Sequence, residues 1–137
     1  MLEYEVEAVV SNVEKLTGFV EEYLETKDCP MKVLMKINIA IDEVFSNICN
    51  YAYSDKKGFV NLKIDMNDNE GYFIMEFKDK GIAYNPLEKE DPDVTLAADD
   101  REIGGLGIFM VKNLMDKVEY EYKDGENCLK LTKYFTK

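Results

Sequence analysis

The chain has 137 residues with 17 basic and 28 acidic side chains, a formal charge of −11, 46% hydrophobic residues and no His. Cationic side chains are what displace counterions from phosphate backbones and settle on anionic lipid, so this balance argues against nucleic acid and membrane surfaces as partners. Without His there is no Ser–His couple, no imidazole metal ligand and no phosphohistidine on this chain.

In chain order, Leu2–Val6 alternates apolar and acidic residues, the pattern of an edge or half-buried strand. Asn12 is the expected N-cap of a helix carrying Leu16, Phe19, Val20, Tyr23 and Leu24 at helical spacing, and Lys27-Asp28-Cys29-Pro30 ends it. A longer helix is predicted from Met31 to Tyr53, with Leu34, Ile37, Ile41, Val44, Ile48 and Ala52 on one face. Strands are predicted at Phe59–Met66 and Tyr72–Lys78, forming a hairpin across the turn residues Asn67–Gly71. The pattern dissolves from Gly81 to Ile103, a stretch with Pro86, Pro92 and a cluster of acids that is too long for an ordinary connector. A helix at Ile108–Met115 follows, and Val118–Tyr122 and Cys128–Phe135 close the chain as a second hairpin around Asp124-Gly125. This order predicts one domain over residues 1–137, an α+β two-layer sandwich with a mostly antiparallel mixed sheet and helices on one face.

Cys29, Cys49 and Cys128 are odd in number and lack CxxC pairing, so neither a disulfide framework nor a zinc site is expected. The first ten residues carry no basic leader pattern, and no stretch approaches about 18 apolar residues. The expectation is a cytoplasmic protein with reduced thiols.

Three clusters could carry chemistry. Glu43, Asn47 and Asn50 fall at i, i+4 and i+7 of the long helix, on a face expected to lie opposite the apolar stripe. Asn is a poor helix former on a solvent face, yet its carbonyl can bind a hard cation, and a carboxylate one turn away can take a proton. The alternative is two exposed or loop-bonded Asn side chains. Asp79-Lys80-Gly81-Ile82-Ala83 ends a strand, where a carboxylate can accept from a ligand amino group and a glycine lets that ligand approach; a plain turn has the same composition. Gly104-Gly105-Leu106-Gly107 leads into a helix, where backbone amides and the helix dipole can hold phosphate oxygens; a hinge for the preceding acidic loop is the compatible alternative. Neither Rossmann nor Walker spacing is present.

Taken together, in this order, the clusters resemble a known set. The run Asp42-Glu43-Val44-Phe45-Ser46-Asn47-Ile48-Cys49-Asn50-Tyr51-Ala52-Tyr53 resembles the N box of the GHKL (Bergerat-fold) ATPases. Asp79 through Pro86 resembles their first glycine box, and Gly104-Gly105-Leu106-Gly107-Ile108 their second. Within that superfamily the run from Arg101 to Asp116 is most similar to the stand-alone anti-sigma factor serine/threonine kinases of bacteria.

The resemblance implies Glu43 as catalytic base, Asn47 as Mg²⁺ ligand, and Asn50 as a further nucleotide-side residue of the N box. It implies Asp79 as the acceptor of the adenine amino group with Gly81 and Ala83 beside it, and Gly104, Gly105, Leu106 and Gly107 as the phosphate cradle. Arg101 lies near a phosphate-contacting Arg of some relatives, and Ile82–Ile103 matches the ATP lid. Ala83 departs from the family by replacing a second glycine, which removes easy access to positive φ. ATP and Mg²⁺ are the implied ligands; a sigma factor, a STAS-type anti-sigma factor antagonist and a second copy of the chain are the implied partners. Two functions follow from it: a kinase that phosphorylates the antagonist, or an ATP-gated anti-sigma binding module with little or no kinase activity.

Overall fold

The computed structural model describes residues 2–53, 57–88 and 105–135. Strand β1 (Leu2–Glu7) leads through a 3₁₀ turn at Val10–Asn12 into helices α1 (Val13–Glu25) and α2 (Met31–Tyr51). The hairpin β2 (Phe59–Asn67) and β3 (Tyr72–Asp79), helix α3 (Gly105–Leu114) and the hairpin β4 (Lys117–Lys123) and β5 (Glu126–Tyr134) follow. The five strands form one sheet in the order β1-β2-β3-β5-β4. All four pairings are antiparallel, where a mostly antiparallel mixed sheet was expected. The chain reaches β4 from β3 by way of α3 and comes back as β5 between them, so every neighbour runs the opposite way.

Alternation sets the two faces. Val60, Leu62 and Ile64 of β2, Phe73, Met75 and Phe77 of β3, and Leu129 and Leu131 of β5 are buried in register beneath the helices. Leu16, Val20 and Leu24 come down from α1, and Ile37, Ile41, Val44 and Phe45 from α2. The other face is polar. Glu3, Lys63, Glu76, Lys130 and Glu119 form one row of alternating charge across all five strands, and opposite charges facing each other across strands are favourable. Helix α2 is the middle helix, with α1 packed on one flank and α3 on the other.

Two local expectations need correction. Asn12 stands at the N-cap position of α1, but its side chain caps nothing; Nδ2 donates to the Glu7 carbonyl (2.9 Å), tying the 3₁₀ turn back to β1. Helix α2 ends at Tyr51 rather than Tyr53, because Ala52 and Tyr53 turn to meet the sheet. The Asp124-Gly125 turn is as predicted, with φ of 54° and 78° at its two residues, the left-handed pair that a two-residue hairpin requires. All three cysteines are free.

An ion pair at the edge of the packed layer joins a buried lysine to an exposed aspartate. Lys133 continues the inward series of β5 and is 3% exposed; its Nζ is 3.5 Å from Asp116 Oδ2, which also accepts from the Tyr134 amide (2.7 Å). Removing one partner strands a charge, whereas an apolar replacement of similar length removes the need for it. Because Asp116 is exposed, Asp116→Ala is expected to cost only about 1 kcal/mol in urea unfolding, and Lys133→Met to be close to neutral. Equal losses for the two would contradict this account.

Candidate functional site

Phe73, Met75 and Phe77 point inward from β3, and the next inward position is Asp79. A carboxylate thus occupies a core-facing register, only 5% exposed. Two donors reach it. Asn127, directly across on β5, gives a bond from Nδ2 to Oδ1 (2.9 Å), and the Gly81 amide gives a second to the same oxygen (3.0 Å). Burial pushes the Asp79 carboxyl above its ordinary value of 3.8, with the bonds from Asn127 and Gly81 acting against it and the nearby Glu126 charge adding to the rise.

A carboxyl raised in the folded state costs stability once ionised, a cost fully present above its folded value and absent below the ordinary value of 3.8. Stability of the wild type relative to Asp79→Asn is expected to fall as pH rises from about 4 to about 7 in urea titrations. A difference that stays flat over that range would show the carboxyl to be unstrained.

The turn after Asp79 is fitted to the end of α2. The Ile82 amide donates to the Ala52 carbonyl (2.9 Å), and a Cβ on Gly81 would run into that same carbonyl. Gly81 thus serves close approach of the chain to itself, where the sequence suggested approach of a ligand. Tyr53 adds a second tie: its hydroxyl donates to the Phe59 carbonyl (2.6 Å) and accepts from the Lys80 amide (2.7 Å).

Asp79 lines an open pocket between α2 and the sheet. Val44, Ile48, Phe77 and Leu129 give it apolar walls, Asn47 lies along α2, and Tyr51 and Tyr84 stand at the mouth with ring centroids 6.0 Å apart. An apolar cleft with a few convergent polar groups is the usual form of a small-molecule site.

Glu43, one turn before Asn47, is half-buried beside α3. A Cβ on Gly107 would stand 2.5 Å from Glu43 Oε2, so the absence of a side chain at Gly107 lets the first turn of α3 close on the carboxylate. The clusters read from the sequence therefore meet in pairs: Asn47 and Asp79 line one pocket, and Glu43 lies against Gly107. Asn47 and Ile48 line the same pocket, so the polar stripe of α2 borders the apolar one rather than lying opposite it; at Glu43 the flank expected to face solvent is covered by α3.

Gly105 and Leu106 open α3. Asn50 and Ala83 are exposed and do not line the pocket. Arg101, Gly104 and the Ile82–Ile103 segment beyond Glu88 lie outside the described residues. Sequence reading missed Asn127, Tyr120, Tyr51 and Tyr84. Asn127 was legible in principle, since it shares the inward phase of Leu129 and Leu131, but β5 was expected to begin at Cys128, two residues after its observed start at Glu126.

Among the described residues no helix is long and apolar enough to cross a membrane. Residues 6–133 match the family described as histidine kinase-like ATPase domain. Among curated proteins, the chain is similar to the serine/threonine-protein kinase BtrW of Bordetella bronchiseptica, with 26% identity over 72% of this chain and 68% of that one. It is similar to the serine-protein kinase RsbW of Staphylococcus aureus, with 28% identity over 72% of this chain and 64% of the relative's length. A third relative is the anti-sigma F factor of Caldanaerobacter subterraneus, with 26% identity over 78% of this chain and 74% of that one. Among solved structures, the RsbU and RsbW domains of Rv1364c from Mycobacterium tuberculosis share the fold, with a TM-score of 0.64 and 14% identity over 98% of this chain and 32% of that one. The histidine kinase domain of Erythrobacter litoralis EL346 shares it with a TM-score of 0.58 and 17% identity over 78% of this chain and 46% of that one. With a family match spanning most of its length, the chain belongs to the histidine kinase-like ATPase domain family.

Proposed function

We propose that the chain is an ATP-binding anti-sigma regulatory factor that acts as a serine/threonine protein kinase on a STAS-type anti-sigma factor antagonist and binds the cognate sigma factor. The observation that carries this reading is an apolar pocket lined by Asp79 and Asn47, with Glu43 one helical turn before Asn47 and against Gly107 of α3. The names of the kinase and anti-sigma relatives support the choice of reaction and partner.

In this reading Asp79 accepts the adenine amino group inside the pocket, and the apolar walls hold the ring. The amides of the Gly105–Gly107 run and the dipole at the start of α3 hold the phosphates; Gly104 and Arg101, assigned to the same role by the resemblance, lie outside the described residues. Among the described residues no group of three acidic or thiol side chains could hold a metal alone. That fits Mg²⁺, which takes one or two protein oxygens and completes its shell from phosphates and water. Asn47 offers such an oxygen, and the bound ion would supply charge neutralisation at the triphosphate.

Glu43 takes the proton of the acceptor hydroxyl as its oxygen bonds to the γ-phosphorus. The bond from that phosphorus to the β–γ bridging oxygen breaks, and ADP leaves. The test is transfer of γ-labelled phosphate from ATP to purified STAS-domain proteins of the source organism. Label on a serine or threonine of one of them is expected; ATP binding with no transfer to any would overturn the kinase assignment in favour of the binding module.

A further inference from the structure

An Asn side chain has two N–H donors and an oxygen with two lone pairs, and all four positions of Asn127 are taken. Nδ2 donates to Asp79 Oδ1 (2.9 Å) and to the Ile82 carbonyl (2.8 Å), while Oδ1 accepts from the Tyr84 amide (3.1 Å) and from the Tyr120 hydroxyl. Reversing the amide would set oxygen against two acceptors and NH₂ against the Tyr84 amide, so its orientation is fixed. The residue is 6% exposed. Its partners come from the end of β3, from the turn after it and from β4.

This has a directional consequence. Both bonds to the Asp79 carboxylate from described residues land on Oδ1, and none lands on Oδ2. Ile82 and Tyr84, gripped by the same amide, are pocket-wall residues. We propose that Asn127 is a positioning residue for purine selectivity: it aims the open oxygen of Asp79 into the pocket and locks the Gly81–Tyr84 turn beside it. Preference for an adenine amino group over a guanine carbonyl then depends on Asn127, although its own bonding positions are filled by the protein. The inference rests on the reading of Asp79 as the purine acceptor.

The test uses the full chain with Mg·ATP and Mg·GTP as probes in calorimetric titrations. Asn127→Asp keeps the shape but exchanges the donor for an acceptor. When ionised, the new carboxylate faces Asp79 and the Ile82 carbonyl, with Glu126, Tyr120 and Tyr53 as the other titratable groups in the neighbourhood. When protonated, it donates one O–H to Asp79 and still accepts from Tyr84 and Tyr120. Relative to wild type at the same pH, which cancels titration of the nucleotide, ATP affinity of this variant is expected to be at least about tenfold weaker near pH 8 and to recover toward pH 5.5.

Asn127→Ala is expected to lose ATP-over-GTP preference equally at both pH values, with faster hydrogen exchange at the Gly81 and Tyr84 amides. Should it fail to fold, Tyr120→Phe removes one of the four bonds and is expected to lower the ATP/GTP ratio about fivefold. A pH-independent Asn127→Asp defect, or an unchanged ATP/GTP ratio in a folded Asn127→Ala or Tyr120→Phe variant, overturns the inference alone. A wild type with no preference for ATP over GTP overturns the underlying reading as well.

Discussion

Glu43→Gln is expected to slow phosphoryl transfer to a serine acceptor by about 10²–10⁴-fold, the usual contribution of a positioned general base, with Mg·ADP affinity nearly unchanged. The substitution keeps the size and hydrogen-bonding outline of the side chain, so its contact with Gly107 survives and α3 keeps its seat. What it removes is the ability to take a proton. Because Gly107 has no side chain, the carboxylate reaches the first turn of α3, the place where the phosphates are proposed to lie. Single-turnover transfer measured beside ADP titration separates the two effects. Transfer at the wild-type rate would remove Glu43 from the reaction; loss of ADP binding together with transfer would make it a structural residue.

Asp79→Asn is expected to weaken ATP binding by about 10–100-fold, the loss of one charge-assisted hydrogen bond in a dry site. The new carboxamide can keep its oxygen toward Asn127 and Gly81, which both donate, and so turns its NH₂ into the pocket against the purine amino group. The nucleotide-free protein should melt higher than wild type at neutral pH, since burial already pushes this carboxyl toward its neutral form. Weaker binding in a more stable protein is a combination that general damage to the fold does not produce. Undiminished ATP affinity would disconnect Asp79 from the ligand.

Much of this was legible because the decisive signals are local. The period of α2 and the alternation of β2 and β3 locate the core, and Asp79 stands out as the charged residue continuing the inward series Phe73, Met75 and Phe77. The glycines at 81 and 107 were legible as special positions, but their reasons were not. One is set by the Ala52 carbonyl and the other by the Glu43 side chain, both contacts between residues far apart in sequence.

Asn127 was hidden for a similar cause. It follows Asp124-Gly125-Glu126, a run whose composition reads as turn, and only the pairing of β3 with β5 puts it opposite Asp79. The polar stripe of α2 was assigned to solvent because helical periodicity gives the angle of a side chain but not what neighbour covers it. Packing of α3 supplied that.

The most direct test of an adenine-binding cleft is thermal unfolding of the whole chain with saturating Mg·ATP, Mg·ADP or Mg·GTP. Ligand at a hundred times its Kd adds about 2.7 kcal/mol to a protein that binds it only when folded. The account predicts a raised melting temperature with both adenine nucleotides and little change with Mg·GTP. Equal shifts with all three, or no shift with any, would contradict it.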